Sequence, residues 1–263
     1  MSTSAVGDSI VFIGAGNVAS HLAPALERSG AGHVVQVYSR NIASARGLAS
    51  ALENAVAIDD PSQVIPDADV YIVSLVDHAV SEVLSRIPRN KALWLHTSGS
   101  LPMDVLESMS GSIGVFYPLQ TFSKGVDVDM AEVPLFIEGS SPEVADRIRR
   151  IAERVTPKVH YADGDLRKRM HIAAVFACNF TNHMFTIADD LLRRDGLSLE
   201  VLHPLLKETV RKALNGSPAQ GQTGPAVRGD REVMEAHESM LDPQLAEIYR
   251  MISASIYNRH HKS

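Results

Sequence analysis

The chain has 263 residues, 45% apolar and 21% charged, with a formal net charge of −6. That composition excludes a disordered or fibrous protein, and the negative balance argues against a nucleic-acid partner held by bulk electrostatics. A single cysteine, Cys178, rules out an intrachain disulfide, and no apolar run approaches the ~18 residues of a membrane span, so a cytoplasmic protein with no membrane partner is expected.

Along the first 160 residues, short apolar runs alternate with amphipathic stretches. Strands are predicted at 9–13, 33–38, 56–58, 70–74, 92–96, 113–117, 134–137 and 158–160. Helices are predicted at 17–29, 42–52, 79–86 and 143–154. Alternation of this kind reads as a mostly parallel sheet with helices on both faces. After Gly164 the pattern becomes helical only, with helices predicted at 165–194, 199–214, 231–240 and 243–259. A loop rich in Gly, Pro and Gln separates the second of these from the third. The expected organisation is a doubly wound α/β domain at 1–162 and an all-α domain at 163–263. Cys178 lies in an apolar stretch of the first long helix and is expected to be buried.

The strongest local pattern joins the first strand to the first helix: Gly14-Ala-Gly16-Asn17-Val18-Ala19. Gly14 permits a tight turn, Gly16 lets the backbone approach a pyrophosphate, and Ala19 allows the helix close to the sheet. The free N–H groups at the start of that helix suit phosphates, and Asn17 and Val18 lie in its first turn. These features point to a Rossmann dinucleotide site. At the end of the second strand an NAD site ordinarily carries a carboxylate for the ribose hydroxyls. Here the sequence is Ser39-Arg40-Asn41, in which a guanidinium and two hydrogen-bonding side chains suit a 2′-phosphate, so the expected cofactor is NADP. The later strand ends, Ser74-Leu75 and His96-Thr97-Ser98-Gly99, should face the same ligand. His96 could equally be a structural residue at the sheet edge.

In the helical half, at ~100° per residue, His171, Asn179, Asn182 and Thr186 fall within ~80° of one another on a mostly apolar helix. Such a stripe needs polar partners, supplied either by a pocket facing the nicotinamide or by contacts between helices or subunits. Arg228, in Gln222-Thr-Gly-Pro-Ala-Val-Arg228-Gly-Asp230, suits a substrate carboxylate or phosphate, and Asp230 is a candidate N-cap. Gln120 and Thr121, in Tyr117-Pro-Leu-Gln-Thr-Phe-Ser, mix donors with aromatic surface as a pocket wall would. The cluster Arg167-Lys168-Arg169 reads as a solvated helix end. Eleven histidines lie scattered without a recognised ligand spacing, so no metal is expected.

Taken together, Gly-Ala-Gly-Asn-Val-Ala, His-Thr-Ser-Gly, Tyr-Pro-Leu-Gln-Thr-Phe-Ser, His-x-Ala-Ala-Val-Phe-Ala-Cys-Asn-Phe-Thr-Asn-His and Gln-Thr-Gly-Pro-Ala-x-Arg-Gly-Asp resemble a family of two-domain NADP oxidoreductases. In that family a Rossmann-like domain precedes a helical domain of unknown function. In outline it is similar to pyrroline-5-carboxylate reductase, ketopantoate reductase and the beta-hydroxyacid dehydrogenases. The resemblance implies a homodimer built largely through the helical domain; it does not supply a substrate, which is expected to be a small molecule. The hydroxyacid dehydrogenases carry a lysine four residues before an asparagine on their interdomain helix. Placing that asparagine on Asn179 puts the lysine position at Val175. His171, one turn earlier, is then the expected proton donor, with Asn179 and Asn182 polarising the reacting C=O or C=N group. The expected activity is hydride transfer to or from a keto, imino or hydroxy acid in an interdomain cleft. The alternative is a non-catalytic NADP-binding sensor or dimeric assembly protein.

Overall fold

The computed structural model describes residues 7–261. The chain divides into two compact units between Asn182 and His183. In the first, eight strands form one sheet: β1 (Asp8–Ile13), β2 (Gly32–Tyr38), β3 (Val56–Ile58), β4 (Val70–Val73), β5 (Leu93–His96), β6 (Ile113–Pro118), β7 (Leu135–Gly139) and β8 (Val159–Tyr161). Their order is β3-β2-β1-β4-β5-β6-β7-β8. Every pairing is parallel except β6 with β7, where the chain reverses. The 3-2-1-4-5-6 portion is the doubly wound arrangement, and its switch point lies between β1 and β4.

The central strands are apolar on both faces because both are covered. Along β1, Ile10 and Phe12 point into one core and Val11 and Ile13 into the other, following the two-residue period. The first core also takes Leu22 and Leu26 of helix α1 (Asn17–Arg28), Leu48 of α2 (Ile42–Ala49), and Ile148 and Ala152 of α4 (Pro142–Val155). The second core packs Val80 and Leu84 of α3 (Val80–Leu84) against Tyr71 and Trp94, whose rings stack 4.4 Å apart.

After β8 every described element is helical. Helix α5 (Gly164–Ala174) is capped by Asp163, whose side chain accepts from the Leu166 N–H. The long helix predicted over 165–194 is interrupted. A π-helical turn, Val175–Phe180, separates α5 from α6 (Thr181–Arg193). One such wide turn accommodates an extra residue and sets the following helix back by about one residue's rotation, ~100°. The second unit continues with α7 (His203–Asn215), the short α8 (Pro225–Arg228), α9 (Arg231–Ser239) and α10 (Pro243–His261). Asp230 caps α9, accepting from the Val233 N–H. No helix among the described residues is long and apolar enough to cross a membrane.

Candidate active site

A cleft of about 590 Å3 opens at the carboxyl ends of the parallel strands. Gly14, Gly16, Asn17, Val18, Ser39, Arg40, Asn41, Ser74, Leu75, Thr97 and Ser98 all line it. Ala19 sits beneath, fully buried against the sheet. The two glycines answer to different demands. Gly14 has φ +119°, and a Cβ there would lie 2.1 Å from the Ser74 carbonyl oxygen, so the turn between β1 and α1 closes only with glycine. A Cβ on Gly16 would meet nothing within 4 Å. The room in front of Gly16 is open, as a backbone that receives an external group requires. Gly16 is also the N-cap of α1 and offers no side-chain bond to the helix, whose first turn carries no acidic residue. Its free N–H groups are therefore unclaimed by side-chain caps and suited to a pyrophosphate.

Arg40 is exposed at the mouth and makes no ion pair among the described residues. Asn41 caps α2 with its oxygen, which accepts from the Ala43 N–H at 3.0 Å, leaving its amide donors available. Sequence reasoning missed Asp59, Glu82, Arg86 and Lys124, which also line the cleft. Arg86 is engaged with Asp60 at 2.9 Å, whereas Arg40 and Lys124, of the cleft's lysine and arginine side chains, form no ion pair among the described residues. Asn17 has a second task. Its amide donates to the Phe122 carbonyl at 3.0 Å and, with His21 against the Val126 carbonyl, holds the loop after β6 onto α1.

A second pocket of about 380 Å3 shares Val18, Asp77, Thr97 and Ser98 with the cleft. Gln120, Thr121, His171 and Asn179 line it, together with Tyr117, Val175 and Cys178. Asn182 is not part of this wall. It lies beyond the π turn, ~16 Å farther along the helix than His171 and out of phase with it. Cys178 is exposed, contrary to the burial expected from its apolar neighbours, because this helical segment turns Phe176 and Phe180 outward as well. Arg228, in the second unit, is exposed and lies 3.8 Å from Asp230.

Behind the pocket, Arg167 corrects the reading of a solvated basic cluster, since its side chain is completely buried. It pairs with Glu138 of β7 and donates to the carbonyls of Ala162 and Leu101 at 3.2 and 2.9 Å. A buried guanidinium is tolerable only with such partners. His96 is 1% exposed, and its Nδ1 accepts from the Ser98 N–H at 3.2 Å, fixing the turn that presents Thr97 and Ser98. Burial, reinforced by the Arg167 charge, holds the His96 imidazole down to about 4. Between that value and the unfolded 6.5, the folded chain keeps His96 neutral while the unfolded chain takes up a proton. Stability therefore falls as the pH drops through this window and is independent of His96 above it. The expected loss from pH 7 to pH 5 is roughly 2 kcal/mol. Urea unfolding at both values should show it, and His96→Gln should remove most of the difference.

Tyr117 is buried, which pushes its phenol up despite the opposing Arg167 charge. Its hydroxyl meets His171 Nδ1 at 3.2 Å. Among the described residues no group of three or more His, Cys, Asp or Glu side chains is arranged to hold a metal ion.

Comparison with known proteins agrees with this geometry. Residues 9–94 match the family described as NADP oxidoreductase, coenzyme F420-dependent, and residues 133–256 match a domain of unknown function, DUF2520. A Bacteroides fragilis protein solved as a "putative NADP oxidoreductase" is 47% identical, with a TM-score of 0.91 over 96% of this chain and 98% of that one. The fold is shared at lower identity by two further structures. One is an imine reductase from Myxococcus stipitatus in complex with NAD+ (18%, TM-score 0.58, 96% and 92% covered). The other is a reductive aminase from Aspergillus terreus in complex with NADPH and ethyl-5-oxohexanoate (16%, 0.58, 97% and 87%). No curated protein matches the chain. With a paired-glycine cleft, an unpaired arginine at its mouth and near-complete overlap with the Bacteroides protein, the chain belongs to the family of two-domain NADP oxidoreductases in which a Rossmann domain precedes a helical domain of unknown function.

Proposed function

We propose that this protein is an NADP-dependent reductase of small polar keto or imino acids, or a dehydrogenase of the corresponding hydroxy acids. The observation that supports the reading is that the two cavities share Val18, Asp77, Thr97 and Ser98, so a nucleotide lying along the glycine turn would reach toward the pocket that His171 lines. When bound, NADPH supplies the hydride. The chain's own residues do the rest. Gly16 and the first turn of α1 receive the pyrophosphate, with Ser74, Leu75, Thr97 and Ser98 along the far side. Arg40, with Ser39 and Asn41, receives the 2′-phosphate. His171 delivers a proton to the oxygen or nitrogen that gains charge, and Asn179 orients that group. Gln120 and Thr121 bind the substrate. The fold-mates that reduce C=N bonds favour a carbonyl or imine as the reacting group.

In this proposal 1–162 binds the cofactor, while 163–263 handles substrate and forms a homodimer. Dimerisation is supported by the large exposed apolar side chains of the second unit, among them Leu205, Leu214, Met240 and Met251. An exposed free thiol at Cys178 suits a reducing, cytoplasmic setting.

The test is a screen of keto, imino and hydroxy acids, following NADPH absorbance, beside calorimetry with both pyridine nucleotides. Turnover with NADPH supports the proposal, and absence of binding by either nucleotide removes it. Arg40→Ala should weaken NADPH binding about 10- to 100-fold, the worth of a charge-assisted pair to phosphate, while leaving NADH nearly unchanged. Equal losses for both nucleotides would take Arg40 away from the 2′-phosphate.

A further inference from the structure

The buried Tyr117 hydroxyl has no assigned part in the reaction, yet three separate segments are shaped around it. β6 delivers the ring, α5 delivers His171, and the end of β5 passes so close that a Cβ on Gly99 would lie 2.8 Å from the Tyr117 oxygen and 3.1 Å from His171 Nδ1. Glycine at 99 is thus what lets the Tyr117–His171 hydrogen bond form beneath the strand end. The helix bearing His171 is fixed one turn earlier, where buried Arg167 grips Glu138 and the Leu101 carbonyl. His171 therefore stands over a hydroxyl whose position is set from every side.

The direction of this hydrogen bond decides what His171 offers the pocket. A buried hydroxyl must place its proton on an acceptor, and the partner found for Tyr117 is His171 Nδ1. Burial keeps the phenol protonated. If Nδ1 bore the proton instead, the Tyr117 oxygen would accept and its own hydrogen would have to turn away from the ring, into the pocket that Tyr117 lines. We infer that Tyr117 is a positioning residue: its O–H donates to His171 Nδ1 and thereby holds the proton of the neutral imidazole on Nε2, the nitrogen left to act on substrate. In a reduction, the Nε2 proton then passes to the substrate oxygen or nitrogen as hydride arrives at carbon. That transfer leaves the ring as an imidazolate, whose charge the Tyr117 O–H bond at Nδ1 stabilises until solvent returns a proton to Nε2.

This rests on the proposed role of His171, but part of its test does not. In full-length protein labelled with 15N-histidine, long-range 1H–15N correlation spectra report which ring nitrogen carries the proton. The His171 signal is assigned by its loss in His171→Asn. The expected wild-type result is the Nε2–H form with Nδ1 as acceptor. Tyr117→Phe, which removes one oxygen, should release the ring into a mixture of tautomers. In the same variant kcat should fall about 10- to 100-fold with KM for NADPH unchanged, an effect that loss of packing alone would not produce. An Nδ1–H tautomer in the wild type overturns the inference even if the variant fails to fold. A folded Tyr117→Phe that keeps the Nε2–H form and full kcat overturns it as well. Should His171→Ala retain turnover, the functional reading fails instead, and the tautomer measurement tells the two failures apart.

Discussion

Replacing His171 with alanine is expected to lower hydride transfer by about 10²–10⁴-fold while leaving NADPH affinity within about twofold. The size follows from what a positioned proton donor contributes. Delivering hydride to carbon without a proton leaves an alkoxide or amide anion, which water in a narrow pocket neutralises poorly. The selectivity follows from where His171 sits. It lines the smaller pocket and is absent from the wall of the nucleotide cleft, so the phosphate-binding surface is intact without it. Single-turnover absorbance at 340 nm gives the chemical step, and calorimetry gives the affinity. An alanine variant that turns over at the wild-type rate would mean that the proton comes from elsewhere.

The two motif glycines should fail in opposite ways. Gly14→Ala should unfold or severely destabilise the first unit, by more than about 3 kcal/mol. The residue has φ +119° and its new methyl would overlap the Ser74 carbonyl, which β4 fixes in place. Gly16→Ala, at a negative φ with empty space in front, should leave thermal stability within about 0.5 kcal/mol and yet weaken nucleotide binding at least tenfold. The methyl would fill the open room in front of the turn, where the pyrophosphate is proposed to lie. Melting curves with and without NADPH distinguish the cases. The Gly14 variant melts early in both, whereas the Gly16 variant melts normally but gains little from the nucleotide. A Gly16 variant that binds as tightly as wild type would place the phosphates somewhere other than this turn.

Much of this was legible in the sequence because it is local. The unbroken apolar runs at 10–13 and 70–73 announce strands covered on both faces, and the glycine spacing announces the turn between strand and helix. The Arg40 position followed from counting to the end of the second strand. What escaped depends on partners distant in sequence. Arg167 reads as surface charge beside Lys168 and Arg169, and its burial becomes tolerable through Glu138 of β7 and the carbonyls of Ala162 and Leu101, none of them within that basic cluster. Tyr117 reads as one aromatic among several until α5 sets a ring nitrogen beside it. Asp59 lies outside every motif, and it joins the cleft because β3 ends next to β2. The alignment of Asn182 with His171 assumed an uninterrupted α-helix, and nothing in Val-Phe-Ala-Cys-Asn-Phe marks the point where the winding widens.

The reversal of direction at β7 has a geometric yield. Since β7 and β8 run against the main sheet, the chain leaves β8 at the edge remote from the nucleotide, and α5 travels back toward it. Val115 stands opposite Glu138 and Tyr117 opposite Phe136, so Tyr117 is two strand residues, ~6.6 Å, above the level of Glu138. Arg167 and His171 are separated by four helical residues, ~6 Å. Helix and sheet thus meet in two rungs of matching pitch, an anchored ion pair below and the tyrosine–histidine contact above. The height of the imidazole is thereby dictated by a clamp that no ligand has to touch.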